Sequence, residues 1–592
     1  MDQEEKRLME ELLTGEKRVG GIGKQLFSGI FAQEQAFPFP RIPEKDQQQI
    51  KGFLEQVQHF TDTAIDPIAI DRQAEIPHSV IKGLGQLGVL GMSVPKEFGG
   101  LGLSQYVYCK AVEIVAGRCG STALFINAHQ SVGLKALELF GTKEQKARWL
   151  APLARGEQLA AFSLTEPNAG SDAAGIETRA VFDPTKNVYR ITGKKQWTTN
   201  GGVAKVLTVM AKTEVDTPQG KQDKITAFLV TPDMKGFHVT AKALEKVGMR
   251  GSWTANLEFC DVEVPAENIL GSIGGGLKIC LTVLDYGRTT FGATCTGAAK
   301  FLLEHATQHA KDRYQFKKPL AAFGLVKKKL ARMGALTYAM DATTYFTAGL
   351  VDQGHLDIML ESAMLKVFAS ESLWSVVYDA MQIYGGRSFF TDHPFERIMR
   401  DSRLNTIGEG ANEVLLAFIG AVGMRDVGLG LKAFIDALKH PVGNGRILWL
   451  HFKNNLSRMR LPKIHVCSPQ LSGESRQLAH AIRKFGFAVI KVLKRYREGV
   501  IDHQLDLERI ANAAISLYTV TAVISKLDHS LGTASQFVVP PQEIAAGKYY
   551  CRIAFKMIDR NIKSLFSPND REIERLSDLL TGLSEHSPQD AS

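Results

Sequence analysis

The spacing of apolar residues divides the chain into helical and sheet-forming stretches. Over residues 47–148, apolar residues recur every three or four positions, as in IKGFLEQVQHF, which predicts amphipathic helices. Residues 159–275 instead alternate polar with β-branched residues, as in VYRITGKKQWTT and ITAFLVT, and turn-rich pieces separate these segments. Helical spacing resumes over 276–423 and, after a polar segment that contains proline, again over 476–581.

This order of stretches predicts an α+β fold with four parts. They are an N-terminal α-helical domain, a middle β-domain, a helical-bundle domain and an additional C-terminal α-helical domain. The predicted boundaries are an N-terminal extension 1–35, a helical domain 36–158, a β-domain 159–275, a bundle 276–424, a basic linker 425–475 and a last helical domain 476–592. No GxGxxG loop follows a strand, so a dinucleotide-binding Rossmann fold is not expected.

The cysteine spacing, the apolar runs and the N-terminal segment bear on the cellular compartment and on whether a disulfide or zinc site is present. The seven cysteines are scattered and never spaced CxxC, so neither a disulfide framework nor a zinc site is predicted. No unbroken apolar run is long enough to cross a bilayer, and the acidic start MDQEEKRLMEELL does not resemble an import signal. We expect a reducing compartment: the cytoplasm of a bacterial-type cell, with peripheral contact to the inner membrane, or the mitochondrial matrix side for a processed chain.

Positive charge is concentrated in one region. The net charge of the chain is +9, yet Arg425 to Val500 alone contains 15 Lys and Arg against 4 Asp and Glu, a local excess of 15 − 4 = +11. Within it, GRILWLHFKNNLSRMRL (445–461) places Trp, Phe and Leu on one helical arc and basic residues outside it. Such a helix either lies in a membrane interface or packs on a core. Nucleic-acid binding is not predicted, because the aromatic residues do not alternate with the charges.

The stretch RDSRLNTIGEGANEV (400–414) contains the strongest candidate for chemistry. Glu409 stands between Gly408 and Gly410, so its backbone can adopt unusual angles and a substrate can approach its carboxylate closely. This pattern is consistent with a catalytic base. The alternative is a solvated carboxylate in the first turn of the helix that follows.

Four motifs in order resemble the acyl-CoA dehydrogenase family of flavoproteins. They are AFSLTEPNAGSD (161–172), QWTTNGG (196–202), RYQFKKPLAAFGLVKKKLARM (313–333) and the span from QIYGG to TIGEG (382–410). The C-terminal segment REGVIDHQLDLERIANAAISLYTVTAVISKLDHSL also resembles the extra helical domain of the very-long-chain branch. The resemblance covers about 37 to 580.

The resemblance implies an activity. Such enzymes remove a proton from Cα and a hydride from Cβ of an acyl thioester, and FAD takes the hydride. Glu409 matches the catalytic base. Some members place the base on the helix that here reads VLDYGRTT, at the position of Gly287, which cannot act as one. The family also polarises the thioester oxygen with the base's own backbone N–H.

The resemblance also assigns binding residues. FAD contacts are implied for Phe162, Leu164, Thr165, Gly170, Ser171, Trp197, Thr199, Arg313, Phe316, Gln382, Gly385, Gly386, Ala411 and Asn412. Acyl-CoA contacts are implied for Ser171, Asp285, Arg288 and Gly410. The alternatives are a core position for Trp197 and surface charges for Asp285 and Arg288. Five of these residues match family positions that bind the ADP half of the neighbouring subunit's FAD: Arg313, Phe316, Gln382, Gly385 and Gly386. The resemblance therefore implies a homodimer.

Other implied partners are long or very long fatty acyl-CoA, electron-transfer flavoprotein as acceptor, and a membrane surface. Three positions depart from the family pattern: Gly408 replaces an aromatic residue, Ala411 replaces a threonine, and Arg387-Ser388 stands where GGxGF is expected. The missing ring widens the slot beside the base. An acyl-CoA oxidase that uses O₂ and a catalytically weak flavoprotein scaffold or assembly factor are therefore alternative functions.

Overall fold

The computed structural model describes residues 21–218, 220–355, 357–439, 449, 460–532 and 539–582. In these residues, helices precede and follow a single large sheet, so the predicted α+β fold is confirmed.

The first part is helical. Its helices are α1 (Ile22–Phe27), α2 (Gln33–Ala36), α3 (Glu44–Ala64), α4 (Pro67–Gln73), α5 (His78–Gln86), α6 (Gln105–Arg118), α7 (Gly120–Asn127), α8 (Lys135–Phe140) and α9 (Lys143–Ala154). A π-helical turn, Ala128–Leu134, joins α7 to α8. Side chains set several helix starts: Asp66 accepts from two backbone amides of α4, and Thr142 and Gln145 form a capping box on α9.

The middle part is an eight-stranded sheet. Its strands are β1 (Ala160–Ser163), β2 (Arg179–Asp183), β3 (Val188–Thr199), β4 (Val206–Thr217), β5 (Gly220–Val230), β6 (Phe237–Ala241), β7 (Thr254–Pro265) and β8 (Ile269–Leu270). Their order is β6-β7-β3-β2-β4-β5-β8, with β1 parallel to β4. Alternate residues of β4 enter two different cores: Val206 and Met210 lie in one, Leu207 and Val209 in the other. The sheet is therefore covered on both faces.

The third part is a bundle of long helices. It contains α10 (Gly276–Asp312), α11 (Gly324–Asp352), α12 (Met359–Tyr384), α13 (Pro394–Leu404) and α14 (Asn412–Lys439), with a small hairpin of β9 (Tyr314–Gln315) and β10 (Lys318–Pro319) after α10. Helices α10 and α12 approach closely, since a Cβ on Gly292 would lie 2.8 Å from Leu365 Cδ2. Helix α14 continues to Lys439, past the boundary predicted at 424.

The last part packs on the bundle. It contains α15 (Ser472–Tyr496), α16 (Gln504–Gly532), α17 (Pro541–Lys563) and α18 (Asp570–Thr581). By length and composition alone, α14 and α16 are apolar enough to cross a bilayer, a test that the core helices of soluble proteins also pass. The apolar window of α16 is 83% buried inside the protein, as in a core helix, whereas 39% of that of α14 is buried.

The N-terminal segment from residue 21 belongs to this packed body. Ile22, Leu26 and Phe27 are fully buried or nearly so, and the Phe27 ring meets Phe485 of α15 at 5.1 Å between centroids. The Gly23 N–H donates to Glu361 Oε1 of α12 at 2.7 Å. The first 20 residues of the predicted extension, and the predicted basic helix 445–461 except Trp449, Arg460 and Leu461, lie outside the described residues.

The cysteines are all free thiols, as predicted. Across the described ranges, no group of three or more His, Cys, Asp or Glu side chains could hold a metal ion.

Candidate active site

Glu409 lies in a tight loop between α13 and α14. Both Glu409 and Gly410 have positive φ angles, 56° and 99°. Left-handed backbone is unfavourable for a residue with a Cβ, so the surrounding structure must hold it. Two backbone bonds close the loop: Gly408 N–H donates to Leu404 O at 2.8 Å, and Asn412 N–H donates to Thr406 O at 3.1 Å.

Two buried cations hold the same loop from neighbouring helices. Lys366 of α12 donates through Nζ to Gly410 O at 2.7 Å and to Asn412 Oδ1 at 2.9 Å. Arg288 of α10 donates through Nε to Glu409 O at 3.3 Å. Burial lowers the pKa of Lys366 to about 8. The loop is therefore fixed by side chains on two sides of the bundle.

The carboxylate of Glu409 points into the protein. Within the described residues, Oε2 is buried and has no hydrogen-bond partner, while Oε1 accepts from Asn127 Nδ2 at 3.5 Å. Burial raises the pKa of Glu409 to about 7, although Arg288 and Lys366 act to lower it. The first-turn, solvated alternative is therefore wrong. A carboxylate with this pKa can accept a proton near neutral pH.

Gly287 makes room for this carboxylate. A Cβ at Gly287 would lie 2.7 Å from Glu409 Oε2, a distance that carbon and oxygen atoms do not tolerate without a shift. The two positions at which the family resemblance locates a base, residues 287 and 409, thus meet in space.

Asp285 and Arg288 are buried rather than on the surface. Their exposed fractions are 6% and 5%, so the surface-charge alternative is wrong for both. Arg288 Nη1 lies 3.4 Å from Asp285 Oδ1, and Ser362 Oγ donates to the same oxygen at 2.8 Å. Burial raises the pKa of Asp285 to about 6. This buried pair anchors the guanidinium that contacts the Glu409 loop.

The predicted flavin-binding residues of the sheet lie around the ends of β1 and β3. The loop after β1 is tied to β3, because Gln196 N–H donates to Thr165 O at 2.9 Å and Ser163 pairs with Thr198 at 2.9 Å. A buried ion pair, Lys195 Nζ to Glu166 Oε1 at 2.7 Å, fixes the same junction. Phe162, Leu164, Thr165 and Thr199 are partly buried here, while Gly170 and Ser171 are exposed.

Trp197 faces solvent at this junction. It has a positive φ of 56°, and the β3–β7 register shifts between Lys195 and Thr198. Such a bulge re-aims a side chain, and the indole is 61% exposed. The core alternative for Trp197 is therefore wrong.

Helix α7 links this junction to Glu409. Asn200, just after β3, donates through Nδ2 to Phe125 O at 3.3 Å. Two residues further along α7, Asn127 contacts Glu409. The end of β3 and Glu409 are thus neighbours of the same short helix.

A second group of predicted flavin contacts lies at the other end of α10. Phe316 is 87% exposed, and Arg313, Gln382, Gly385 and Gly386 are also exposed. Stacking of His309 on Tyr384 at 4.1 Å brings the ends of α10 and α12 together. Arg313 is 26 residues beyond Gly287, on the order of 40 Å along the helix. The structure therefore brings this set together but keeps it far from Glu409 of the same chain.

The residues present fit FAD. A flat ring needs an exposed face and its phosphates need accessible backbone, and Trp197 and the loop at Gly170 provide both: a Cβ on Gly170 would meet only Thr165 Cγ2, at 3.9 Å. Open space also surrounds Gly385 and Gly386. The side chain of Asn412 is fully engaged with Lys366, Ser370 and Glu371, and its backbone N–H donates to Thr406 O, so neither donor is free for a cofactor.

Several residues of the site were not anticipated from the sequence. Asn127 and Lys366 both contact the base loop, and Lys195 with Glu166 supports the flavin junction. A sequence signal could have identified both residues, because each is a polar residue inside an apolar helical run: Asn127 in LFINA and Lys366 in AMLKVF. Burying a polar side chain without a hydrogen-bond partner is unfavourable, so such a residue is expected to have a partner or a functional role.

Four segments of the chain match known protein-family descriptions, in the same order as the parts of the fold. The chain matches the descriptions "Acyl-CoA dehydrogenase, N-terminal domain" over 46–157, "middle domain" over 161–262, "C-terminal domain" over 274–424, and "ACAD9/ACADV, C-terminal domain" over 469–586.

Individual acyl-CoA dehydrogenases are also similar to this chain in sequence and in structure. The mitochondrial very long-chain specific acyl-CoA dehydrogenase of Bos taurus is 38% identical over 534 residues, 88% of this chain and 81% of that protein. An acyl-CoA dehydrogenase from Bacillus anthracis, solved with FAD, superposes with a TM-score of 0.78 at 28% identity and covers 96% of both chains. Butyryl-CoA dehydrogenase from Megasphaera elsdenii gives a TM-score of 0.60 at 34% identity over 64% of this chain and 98% of its own.

The confirmed fold, the four matched domains and these relatives agree, and the chain belongs to the acyl-CoA dehydrogenase family of FAD-dependent oxidoreductases acting on CH–CH groups.

Proposed function

We propose that the chain converts long- or very-long-chain fatty acyl-CoA to trans-2-enoyl-CoA, the first step of fatty acid β-oxidation, with Glu409 as the base. One observation carries the assignment of the base. Glu409 Oε2 is buried, has no hydrogen-bond partner in the described part of the chain, and belongs to a carboxyl whose pKa is raised to about 7.

The chain's own residues account for the proton side of the reaction. Glu409 accepts the α-proton at Oε2, the oxygen that no described residue binds. Its backbone N–H also donates to no acceptor within the described ranges, so it is available to the thioester oxygen as charge develops there. Arg288 and Lys366 hold the loop carbonyls and keep these two groups in place. When bound, FAD supplies the acceptor for the β-hydride.

Two groups of residues would hold FAD. Thr165, Ser171, Trp197 and Thr199 would bind the ring and pyrophosphate within one subunit. Arg313, Phe316, Gln382, Gly385 and Gly386 would contact the FAD of a second subunit, because they lie on the order of 40 Å along α10 from their own base. Exposed aromatic residues at the same end of the bundle support a homodimer: Tyr314, Phe316, Trp374, Tyr378, Phe389 and Phe390.

The electron acceptor we propose is an electron-transfer flavoprotein. The proposal is supported by the exposed indole of Trp197, because a flavin bound beside it would have its edge near the protein surface, where a second flavoprotein could approach. The long-chain assignment is supported by the very long-chain specific relatives and by the matched C-terminal domain.

Peripheral membrane contact is also part of the proposal. The last turns of α14 expose Leu429, Ile435 and Leu438 by 54%, 47% and 55%, and Trp449 beyond it is 61% exposed. Apolar side chains beside the basic stretch would enter the headgroup region of an anionic bilayer. The compartment we propose is the bacterial cytoplasm at the inner membrane, or the matrix side of a mitochondrial membrane.

Sedimentation with anionic vesicles tests the membrane contact. We expect Leu429→Glu with Ile435→Glu to lower the bound fraction several-fold, because each buried apolar side chain contributes about 1.5–3 kcal/mol. Exposed Leu325→Glu, on the bundle, is the matched control and should bind like wild type. Equal binding by all three proteins would argue against this surface.

Anaerobic mixing with a series from butyryl-CoA to eicosanoyl-CoA tests the activity. We expect long chains to bleach the visible flavin absorbance, and Glu409→Gln to abolish the bleaching while retaining FAD. Release of peroxide in air at the rate of turnover would indicate an oxidase. FAD that no acyl-CoA bleaches would contradict the dehydrogenase proposal and favour a scaffold.

A further inference from the structure

A row of buried polar side chains ends at the proposed base. Tyr108 of α6, Ser131 of the π-helical turn, Thr290 of α10 and Asn127 of α7 are each exposed by 1% or less. Tyr108 OH and Ser131 Oγ are 2.6 Å apart, and Ser131 Oγ and Thr290 Oγ1 are 3.0 Å apart. Thr290 Oγ1 bonds Asn127 Oδ1, and Asn127 Nδ2 reaches Glu409 Oε1 at 3.5 Å.

The amide of Asn127 turns its NH₂ group toward Glu409 and its oxygen toward Thr290. The Thr290 hydroxyl has one proton and three acceptors within reach: Asn127 Oδ1, Gly287 O at 2.9 Å and Tyr286 O at 3.2 Å. When it donates to Asn127, Thr290 Oγ1 accepts from Ser131 and Ser131 Oγ accepts from the Tyr108 hydroxyl, so that the row supports this orientation of the amide.

The row treats the two oxygens of the carboxylate differently. Oε1 has a donor, Asn127, whereas Oε2 has none among the described residues and packs against Gly287. We propose that Asn127 is a positioning residue for the base: it holds Oε1 of Glu409, so that Oε2 faces the substrate. The inference rests on the proposed role of Glu409 and goes beyond it.

Charged and titratable groups of three helices act on the carboxylate. They are Arg288 of α10, Lys366 of α12 and Tyr108 of α6, and Asp285 of α10 pairs with Arg288. Arg288 and Lys366 donate hydrogen bonds to the carbonyl oxygens of Glu409 and Gly410, and not to the carboxylate of Glu409. Asn127 is the only described side chain that donates a hydrogen bond to the carboxylate of Glu409.

The main experiment replaces Asn127 with leucine, which has a similar volume and no donor. We expect kcat to fall on the order of 10-fold, with KM little changed, because a carboxylate free to rotate reaches its productive position less often. Without the donor the carboxylate is less favoured, so the pH at half-maximal rate should rise by roughly one unit. Asn127→Asp should raise it further, because two carboxylates repel.

Stability against pH gives a readout that needs no turnover. The raised pKa of Glu409 means that the folded protein binds a proton more tightly than the unfolded chain. Wild type should therefore lose stability relative to Glu409→Gln as pH rises from about 4.5 to about 7. In the Asn127→Leu background, the upper end of this window should move upward.

A matched control separates positioning from packing. Asn268 is buried at 3% and donates to Leu229 O at 2.9 Å within the β-domain. We expect Asn268→Leu to lose stability but to keep the pH profiles of wild type.

The outcomes are distinguishable. If Asn127→Leu matches Asn268→Leu in both pH profiles and keeps kcat, the positioning role is wrong. If wild type is not reduced by any acyl-CoA but Asn127→Leu still shifts the stability profile, the proposed function fails while the contact between Asn127 and Glu409 is supported.

Discussion

At the scale of single residues, the site depends on one glycine beside one carboxylate. Gly287 and Glu409 are 122 positions apart in the sequence, yet a Cβ on the glycine would press against the carboxylate. The absence of a side chain at 287 therefore determines where the base can sit. The room left by the missing side chain at Gly287, as well as the charges of Arg288 and Lys366, sets the position of Glu409 Oε2.

Replacing Gly287 with alanine should displace the base. The new Cβ would lie 2.7 Å from Glu409 Oε2, so the carboxylate must move, and a displacement of about 1 Å costs on the order of 100-fold in rate. Rapid-mixing measurement of flavin reduction checks this. Gly334→Ala on α11, where a Cβ meets nothing within 4 Å, is the control and should react like wild type. A fast Gly287→Ala enzyme would show that this contact is not limiting.

The sequence predicts some of these residues and not others. Glu409 was identified because two glycines flank it and because the family resemblance marks it. Asn127 and Lys366 reach the loop from 282 and 44 positions away, and no local pattern specifies such contacts. The pKa of Glu409 likewise depends on burial by other helices, which only the fold determines.

At the scale of elements, the loop between α13 and α14 is the critical unit. It reverses the chain through two left-handed residues, and five hydrogen bonds from the loop itself, α10 and α12 hold it. The loop presents both the carboxylate and the backbone N–H of Glu409. Its conformation therefore affects both proposed roles of this residue, as proton acceptor and as hydrogen-bond donor to the thioester oxygen.

Replacing Gly410 with alanine should distort this loop. A Cβ at φ 99° is strained and would lie 3.1 Å from Leu415 Cδ2, so we expect a loss of roughly 1–3 kcal/mol in the free energy of unfolding and a lower kcat. Gly354→Ala, also at positive φ (81°) but in open space, should lose stability without losing kcat. Urea unfolding and steady-state assays compare the two. Equal kcat in both variants would mean that the loop tolerates distortion.

Element types were easier to predict than their irregularities. Period and composition located the sheet at 159–275, and its named strands span 160–270. Strict alternation could not predict the bulge that turns Trp197 outward, because a bulge arises from pairing with β7. The predicted boundary of the bundle at 424 also falls short of the end of α14 at Lys439.

At the scale of the molecule, a partly buried charge network joins three parts of the chain. Lys300 of α10 pairs with Glu113 of α6 at 2.6 Å and with Asp341 of α11. Lys526 of α16 also pairs with Asp341, and Tyr345 bonds Glu113. The lysines hold the pKa of Asp341 well below its usual range. The C-terminal part is therefore tied electrostatically to the bundle.

Replacing Asp341 with asparagine should destabilise the whole molecule. It leaves two partly exposed lysines without this partner, while Lys300 keeps Glu113, so we expect a loss of about 1–3 kcal/mol at pH 7. A depressed carboxyl pKa stabilises the fold above the unfolded value, about 3.9, so the difference from wild type should shrink below that pH. Urea unfolding at several pH values measures it. Asp559→Asn, which breaks exposed pairs with Lys484 and Lys563, should cost at most about 1 kcal/mol.

The order of the large parts follows from the sequence, and the packing between them does not. Residues 1–35 are predicted to form a polar, helical extension. In the structure, apolar residues of this stretch fill gaps in the packed body: a Cβ on Gly423 would lie 2.2 Å from Phe27 Cζ, so the glycine of α14 makes room for the ring. Such pairs are visible only once the parts are assembled.

The central claim is that Glu409 is a base with a pKa near neutrality, and single-turnover flavin reduction by a long-chain acyl-CoA between about pH 5 and 9 tests it most directly. The rate for wild type should rise tenfold per pH unit below about 7 and level off above it, because only the carboxylate accepts the proton. Glu409→Gln should bind FAD and be slower by about 100-fold or more at every pH. A flat wild-type profile, or a Glu409→Gln enzyme that is reduced at the wild-type rate, would contradict the account.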